Sequence, residues 1–285
     1  MRYVEAKTIL GNNNNVNLYR GCTHGCIYCD SRSECYQVGD FENVGVKKDA
    51  LLIFEKELLK RRKKCIVSTG SMSDPYVHLE RELELTKGLL EIIKKYYFGI
   101  SVLTKSNLIL RDIDLYEEIN RRHRAIVWMT ITTYDDILCQ KIERNVCVTS
   151  ERFKCLAEFA KRGIPTGIWL TPILPFINDN EENITRIINK CAEVGVKYII
   201  IFDFGTTKRA GSEEYFYYNL DRYFPGIKEK YQKIYRNDYI CNSLNNQKLW
   251  IKFRELCDQH QIIYQMDKIK NLYQNVNNEE QLSLF

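Results

Sequence analysis

From residue 16 to residue 205, short apolar runs rich in β-branched residues alternate with longer amphipathic stretches. The apolar runs are residues 16–20, 65–69, 100–104, 125–131, 166–170 and 198–204. The amphipathic stretches are residues 49–64, 80–97, 112–122, 150–162 and 181–194. Strand–helix alternation of this kind requires a parallel sheet joined by right-handed crossovers. Six strands suit an open α/β fold, a partial (β/α)6 barrel, whose chemistry lies beyond the strand C-termini. A chain of 285 residues is long enough for such a domain. Asp179 is expected as the N-cap of the last helix, with Glu181 and Glu182 in its first turn and Gly195 as its stop.

After Gly205 the pattern changes. Residues 211–239 are rich in tyrosine and charge and read as helical, with a break at Phe224-Pro225-Gly226. Residues 249–260 read as a further helix, followed by a short apolar stretch over 261–266. The expected organisation is a barrel over residues 1–205 and a mostly helical C-terminal extension over 206–270. A flexible tail is expected over 271–285, where the chain turns polar.

Several classes are excluded early. No apolar run approaches the ~18–20 residues of a membrane span, and the longest, residues 167–177, is broken by Pro172 and Pro175. The first seven residues contain no apolar segment of a secretory signal. Eleven cysteines, an odd number at irregular spacing, do not read as a disulfide framework. A reducing, cytoplasmic setting is expected, with most cysteines acting as small buried hydrophobes. The net charge of +5 permits nucleic-acid binding without requiring it. The basic clusters at 60–64, 121–124 and 161–162 precede strands, so they mark helix C-termini at the far end of the barrel. Arg20, Lys105, Arg111, Lys208 and Arg209 fall near strand C-termini and are the better candidates for touching an anionic ligand.

The segment Arg20-Gly21-Cys22-Thr23-His24-Gly25-Cys26-Ile27-Tyr28-Cys29-Asp30 spaces three cysteines as C-x3-C-x2-C. One loop of this length can aim three thiolates at one site. Three thiolates are one short of a tetrahedral zinc site, which Cys35 or His24 could complete, and one short of filling a four-iron cluster. Three buried, unliganded thiols are the remaining reading.

The spacing, the aromatic Tyr28 before the third cysteine and the strand–helix pattern together resemble the radical S-adenosylmethionine (SAM) superfamily over about residues 14–205. The resemblance implies a [4Fe-4S] cluster ligated by Cys22, Cys26 and Cys29, with SAM bound to the fourth iron. It also implies reductive cleavage to a 5′-deoxyadenosyl radical and an electron donor such as a flavodoxin, a ferredoxin or a reductase. Gly70 and Ser71, after the second strand, fall where the family binds the methionine amino group, although the family's glutamate is lacking. Thr130 and Thr132 are expected near ribose or carboxylate, Ile173 and Leu174 against adenine, and Tyr28 and Lys105 among the cofactor contacts.

A narrower resemblance joins Ser71-Met72-Ser73-Asp74-Pro75-Tyr76, Lys105-Ser106, Arg111-Asp112 and Ile131-Thr132-Thr133. These look like the spore photoproduct lyase-like branch, which implies DNA as a substrate for lesion repair or modification. Ser71 stands where the lyase has its cysteine hydrogen donor. A serine O–H bond is too strong for that role, leaving Cys35 and Tyr76 as candidate donors. The chain ends in Gln281-Leu282-Ser283-Leu284-Phe285, which resembles the pentapeptide that binds the bacterial DNA sliding clamp. There the glutamine is the polar anchor, and Leu282, Leu284 and Phe285 supply the apolar part. Two other functions remain open: a radical SAM enzyme acting on a peptide or small molecule, and a non-catalytic metal-binding module docking on the clamp.

Overall fold

The computed structural model describes residues 1–274. Gln281, Leu282, Leu284 and Phe285 lie outside the described residues, so the clamp expectation rests on sequence alone.

The chain opens with β1 (Arg2–Val4), β2 (Asn15–Val16) and β3 (Tyr19–Arg20). The run expected over 16–20 is therefore two strands. Val16 pairs with Thr69 of the main sheet, while Tyr19 and Arg20 pair with Val46 and Gly45 of β4 (Gly45–Lys47). With β1 alongside β4, these make a separate three-stranded sheet. The cysteine loop leaves from that small sheet, displaced from the barrel wall.

Then follow α1 (Ala50–Leu59), β5 (Ile66–Thr69), α2 (Glu80–Leu83), α3 (Leu85–Lys95), β6 (Gly99–Thr104), α4 (Ile113–Arg122) and β7 (Ala125–Thr130). After these come α5 (Asp136–Ile142), α6 (Thr149–Lys161), β8 (Thr166–Trp169), α7 (Glu181–Glu193) and β9 (Tyr198–Ile200). The order β2-β5-β6-β7-β8-β9 forms one sheet, every pair parallel, as the alternation requires. Side chains alternate across it. Val67, Ile100, Val102 and Val127 face out and pack with Phe54, Leu89, Ile93 and Tyr116. Ile66, Ile126, Trp128 and Ile200 form a cluster on the other face. There Trp128 lies over Gly167, where a Cβ would stand 2.2 Å from the indole ring.

The helix expected over 80–97 is split at Glu84, whose φ is +49°. Glu80 causes the turn to fold inward: its buried carboxylate accepts from Tyr19, Arg111 and the Thr86 amide. The N-cap of α7 is Asn180 rather than Asp179. The Asn180 side chain accepts from the Asn183 amide at 2.9 Å, while Asp179 accepts from the Ser243 hydroxyl at 2.6 Å.

The extension comprises β10 (Gly205–Thr207), α8 (Ser212–Tyr223), α9 (Ile227–Tyr235), β11 (Ile240–Asn242), α10 (Asn246–Gln259) and α11 (Met266–Gln274). β10 and β11 pair antiparallel. α10 packs Leu249, Phe253 and Cys257 against Ile184, Ile187 and Cys191 of α7. Beyond it, Ile263 bonds the backbone of Lys197 and Ile199, covering the open edge of β9. Residues 271–274, expected to belong to a flexible tail, instead form the end of α11. Ile269, Leu272 and Tyr273 fall on one helical face and pack on the inner sheet cluster. The Tyr273 hydroxyl meets Ser101 Oγ at 2.8 Å, and Ser101 accepts from Trp128 Nε1 at 3.1 Å. Among the described residues no helix is long and apolar enough to cross a membrane.

Candidate cluster and cofactor site

Backbone hydrogen bonds fix the cysteine loop at both ends. Cys22 N donates to Phe41 O at 3.0 Å, and Ile27 N donates to Ile142 O at 2.9 Å. The loop that follows α5 holds its outer side, where Asn145 N donates to His24 O at 3.0 Å and Asn145 Nδ2 to Thr23 O at 3.0 Å. Cys22, Cys26 and Cys29 thereby line a single cavity of about 620 Å³. The turn after β5, the ends of β6, β7 and β8, and the β10–β11 hairpin complete its wall. The excursion after Cys29 is braced by the extension. The Arg32 guanidinium lies between the Phe41 ring at 4.5 Å and the Tyr215 ring at 3.7 Å.

Among the described residues no three His, Cys, Asp or Glu side chains converge tightly enough to share one metal ion. In a cubane each thiolate binds a different iron at a different corner. Three thiols spread over one cavity wall with no fourth cysteine lining it fit the cubane. Gly70 lines the same cavity and leaves its wall without a side chain at that point. Its φ is +101°, and a Cβ there would stand 2.0 Å from Leu103 O, so only glycine allows this turn.

Two buried networks support the loop. Burial favours the neutral form of the Cys22 thiol, but the neighbouring His24 outweighs it and holds the thiol below its ordinary range. The His24 ring faces Asp74 Oδ2 at 3.4 Å and Tyr76 O at 3.3 Å. Asp74 also accepts from Thr104 Oγ1 at 2.6 Å, Tyr76 N at 2.8 Å and Lys105 N at 2.9 Å. Burial opposes its charge, yet His24 and these donors hold its carboxyl well below the usual carboxylate range.

The second network was not anticipated. Glu143 and Arg152, buried to 1% and 0% exposure, pair at 2.5 Å. Arg152 also donates to Thr130 O at 2.9 Å and twice to Cys147 O. The other Glu143 oxygen accepts from the Tyr28 hydroxyl, and its backbone bridges Cys26. Burial pushes the Cys26 and Cys29 thiols up, and burial together with Glu143 does the same to the Tyr28 phenol. Burial works against the Lys105 cation, but Cys26, Glu143 and Asp74 hold its pKa above the ordinary lysine range.

Of the expected cofactor contacts, Tyr28, Gly70, Ser71, Lys105 and Thr130 line the cavity. Thr132, Ile173 and Leu174 do not. The Thr132 carbonyl accepts from Asn178 and Asn183, and Ile173 and Leu174 are fully buried in separate core clusters. Thr171 and Pro172 line the wall in their place. Neither candidate hydrogen donor lines it. Cys35 is exposed beside Arg209, and the Tyr76 hydroxyl is buried between Asp112 at 3.0 Å and Tyr116 at 2.9 Å. Tyr36, unforeseen, does line the cavity. Of the five cations singled out near strand ends, only Lys105 lines it. Arg111 is held by Glu80 and Asp112, and Lys208 by Glu213. The mouth is aromatic: Phe202 is 63% exposed and meets Trp169 edge-on, and Arg209 sits near both Tyr36 and Tyr239.

The Radical SAM superfamily model matches residues 16–191, and the chain belongs to this superfamily. The family uses a [4Fe-4S] cluster and SAM, which here Cys22, Cys26 and Cys29 would hold beside the Gly70 turn. When bound, they supply one-electron cleavage of a sulfonium and hydrogen-atom abstraction. The chain is 26% identical over 231 residues to an uncharacterized protein of Mycobacterium tuberculosis, covering 78% of this chain and 66% of that one. It is 31% identical over 169 residues to an uncharacterized protein of Methanocaldococcus jannaschii, covering 58% of this chain and 62% of the other. The chain thus spans about two thirds or less of these relatives' length. Among solved structures, spore photoproduct lyase complexed with dinucleoside spore photoproduct matches with a TM-score of 0.67 at 15% identity. That match covers 90% of this chain and 79% of the other. The radical SAM methyltransferase TsrM from Kitasatospora setae, with tryptophan substrate bound, matches with a TM-score of 0.58 at 11% identity, over 88% and 53%. Both likenesses show the fold.

Proposed function

We propose that this protein is a radical SAM enzyme that acts on DNA, in lesion repair or base modification. The observation that carries this reading is the cavity mouth. Phe202, Tyr239 and Tyr36 offer ring faces and edges above the cysteine wall, and Arg209 adds a cation beside two of them. Stacking on aromatic rings with a nearby arginine suits an extruded or single-stranded base. The fold shared with spore photoproduct lyase, solved with a dinucleoside photoproduct, supports the same reading.

The residues have distinct tasks in it. Tyr28, held through Glu143, gives the cofactor a fixed aromatic wall. The Gly70 turn brings backbone groups close to the bound cofactor, and Lys105 adds a positive charge beside the thiolate wall. Ser71 lines the cavity and, by the sequence resemblance, stands where the lyase has its donor cysteine, so direct photoproduct reversal by the lyase's route is not expected. The C-terminal peptide, with Gln281, Leu282, Leu284 and Phe285, would bring the enzyme to DNA through the sliding clamp. Changing Leu284 and Phe285 to alanine should abolish clamp pull-down.

The main test is anaerobic incubation with ultraviolet-irradiated or undamaged duplex and single-stranded DNA, read as 5′-deoxyadenosine and altered nucleosides by mass spectrometry. DNA-dependent 5′-deoxyadenosine with a new nucleoside is expected. Release that no DNA alters would shift the reading to a peptide or small-molecule substrate, the class to which the tryptophan bound by TsrM belongs.

A further inference from the structure

A second cleft, of about 320 Å³, lies against the outer side of the cysteine loop. It shares His24 with the cofactor cavity and no other lining residue. His24 is buried and sits within the C-x3-C spacer, two residues from both Cys22 and Cys26. In the cleft the exposed ring of His78 meets it edge-on, with centroids 5.5 Å apart at 80°. The Thr23 hydroxyl fixes His78 through Nδ1 at 2.6 Å. Two imidazoles in contact thus bridge solvent and the cluster loop. Electron tunnelling falls off exponentially with distance, so such a bridge marks a short way in.

Among the described residues the rim carries Arg81 and Arg144 against a single carboxylate, Glu151. Arg144 is held in place by the Tyr215 hydroxyl at 2.9 Å and the Tyr223 hydroxyl at 3.2 Å. Leu108 and Val146 give the cleft a small apolar part. A small polar cleft rimmed by cations suits a weak electron-transfer encounter, because charge steers the approach and little area is buried.

We infer that this cleft is the docking face for a small acidic one-electron carrier protein, and that His78 and His24 lie on the electron's path to the cluster. In the step, the carrier loses one electron, the cluster gains it, and no proton or covalent bond moves. The inference rests on the family assignment and not on the identity of the substrate. A nucleic acid is the other anionic macromolecule such a rim could attract. Because cleft and cavity meet only at His24, a strand in the cleft would not reach the reacting atoms.

The test uses the cluster-loaded protein without SAM, mixed in a stopped flow with photoreduced flavodoxin and followed at the flavin absorbance. Arg81→Glu should slow the second-order oxidation of flavodoxin about tenfold at low salt, and Glu151→Lys should speed it about threefold. Both differences should shrink at 0.5 M salt, where charge steering is screened. Dithionite, a small ion that needs no docking face, should reduce parent and variants alike. Flavodoxin rates unchanged in both variants would overturn the proposal. So would equal losses with dithionite, or a loss of DNA retention by Arg81→Glu with its flavodoxin rate intact. Dithionite-driven assays with DNA test the substrate reading separately, so the two can fail independently.

Discussion

Arg152→Met is the most informative single perturbation of this molecule. The methionine keeps most of the apolar stem and removes the guanidinium. What remains is a Glu143 carboxylate at 1% exposure that has lost its directly bonded cation and keeps only the Tyr28 hydroxyl and the charge of Lys105, plus the Thr130 and Cys147 carbonyls short of their donors. Removing one partner of a buried ion pair costs about 3–5 kcal/mol, most of it from the stranded charge. That is a large part of the roughly 5–15 kcal/mol that holds a typical domain folded. Removing the charge as well, in Glu143→Gln/Arg152→Met, should recover about half of the loss, because the residue at 143 is then neutral. The assay is anaerobic urea unfolding of the metal-free protein. With an m-value of about 3 kcal/mol/M, the single variant's midpoint should fall by about 1–2 M. A single-variant loss under about 1 kcal/mol, or a double variant worse than the single, would refute the view that this pair is a sealed buried clamp. The same clamp holds Tyr28 and the backbone of Cys26, so a confirmed loss should be accompanied by weaker cluster retention.

Other outcomes follow from the same geometry. Gly70→Ala must move the Leu103 carbonyl, which would lie 2.0 Å from the new methyl, so SAM affinity measured by equilibrium dialysis should drop at least tenfold, by about 1.4 kcal/mol or more. Tyr273→Ala removes a ring packed on the inner sheet cluster and a partner of Ser101, and should cost about 2–4 kcal/mol in urea unfolding. An effect below 0.5 kcal/mol would mean that α11 does not seal that face. Burial raises the Cys26 and Cys29 thiols in the folded metal-free protein, so the unfolded chain releases those protons first. Stability of the metal-free protein should therefore be intact below about pH 8.5 and fall as pH rises above it, by up to about 1.4 kcal/mol per pH unit per thiol. The cluster-loaded protein should lack this part of the loss, because its thiolates are already deprotonated.

The sheet was legible because its strands carry β-branched runs that only a doubly covered parallel sheet would bury. The cysteine site was legible because its spacing is local. What the sequence hid depended on long-range contacts. Glu143 and Arg152 look like ordinary surface charges until α5 and α6 bring them together behind Tyr28. Glu80 likewise reads as a solvent-facing residue in a long helix, yet it is buried and breaks that helix. The resemblance implies that Ile173 and Leu174 contact adenine, but both lie buried in core clusters while Thr171 and Pro172 line the cavity. Polar composition over 271–274 concealed the apolar face that Leu272 and Tyr273 continue from Ile269.

The central claim is that the three cysteines hold a four-iron cluster whose open iron takes SAM. The direct measurement is anaerobic reconstitution followed by iron analysis and electron paramagnetic resonance of the dithionite-reduced protein, with and without SAM. About four irons per chain and a reduced-cluster spectrum that changes on adding SAM are expected, both lost in Cys22→Ala/Cys26→Ala/Cys29→Ala. A colourless protein that binds one zinc ion, or a cluster spectrum unaffected by SAM, would contradict it.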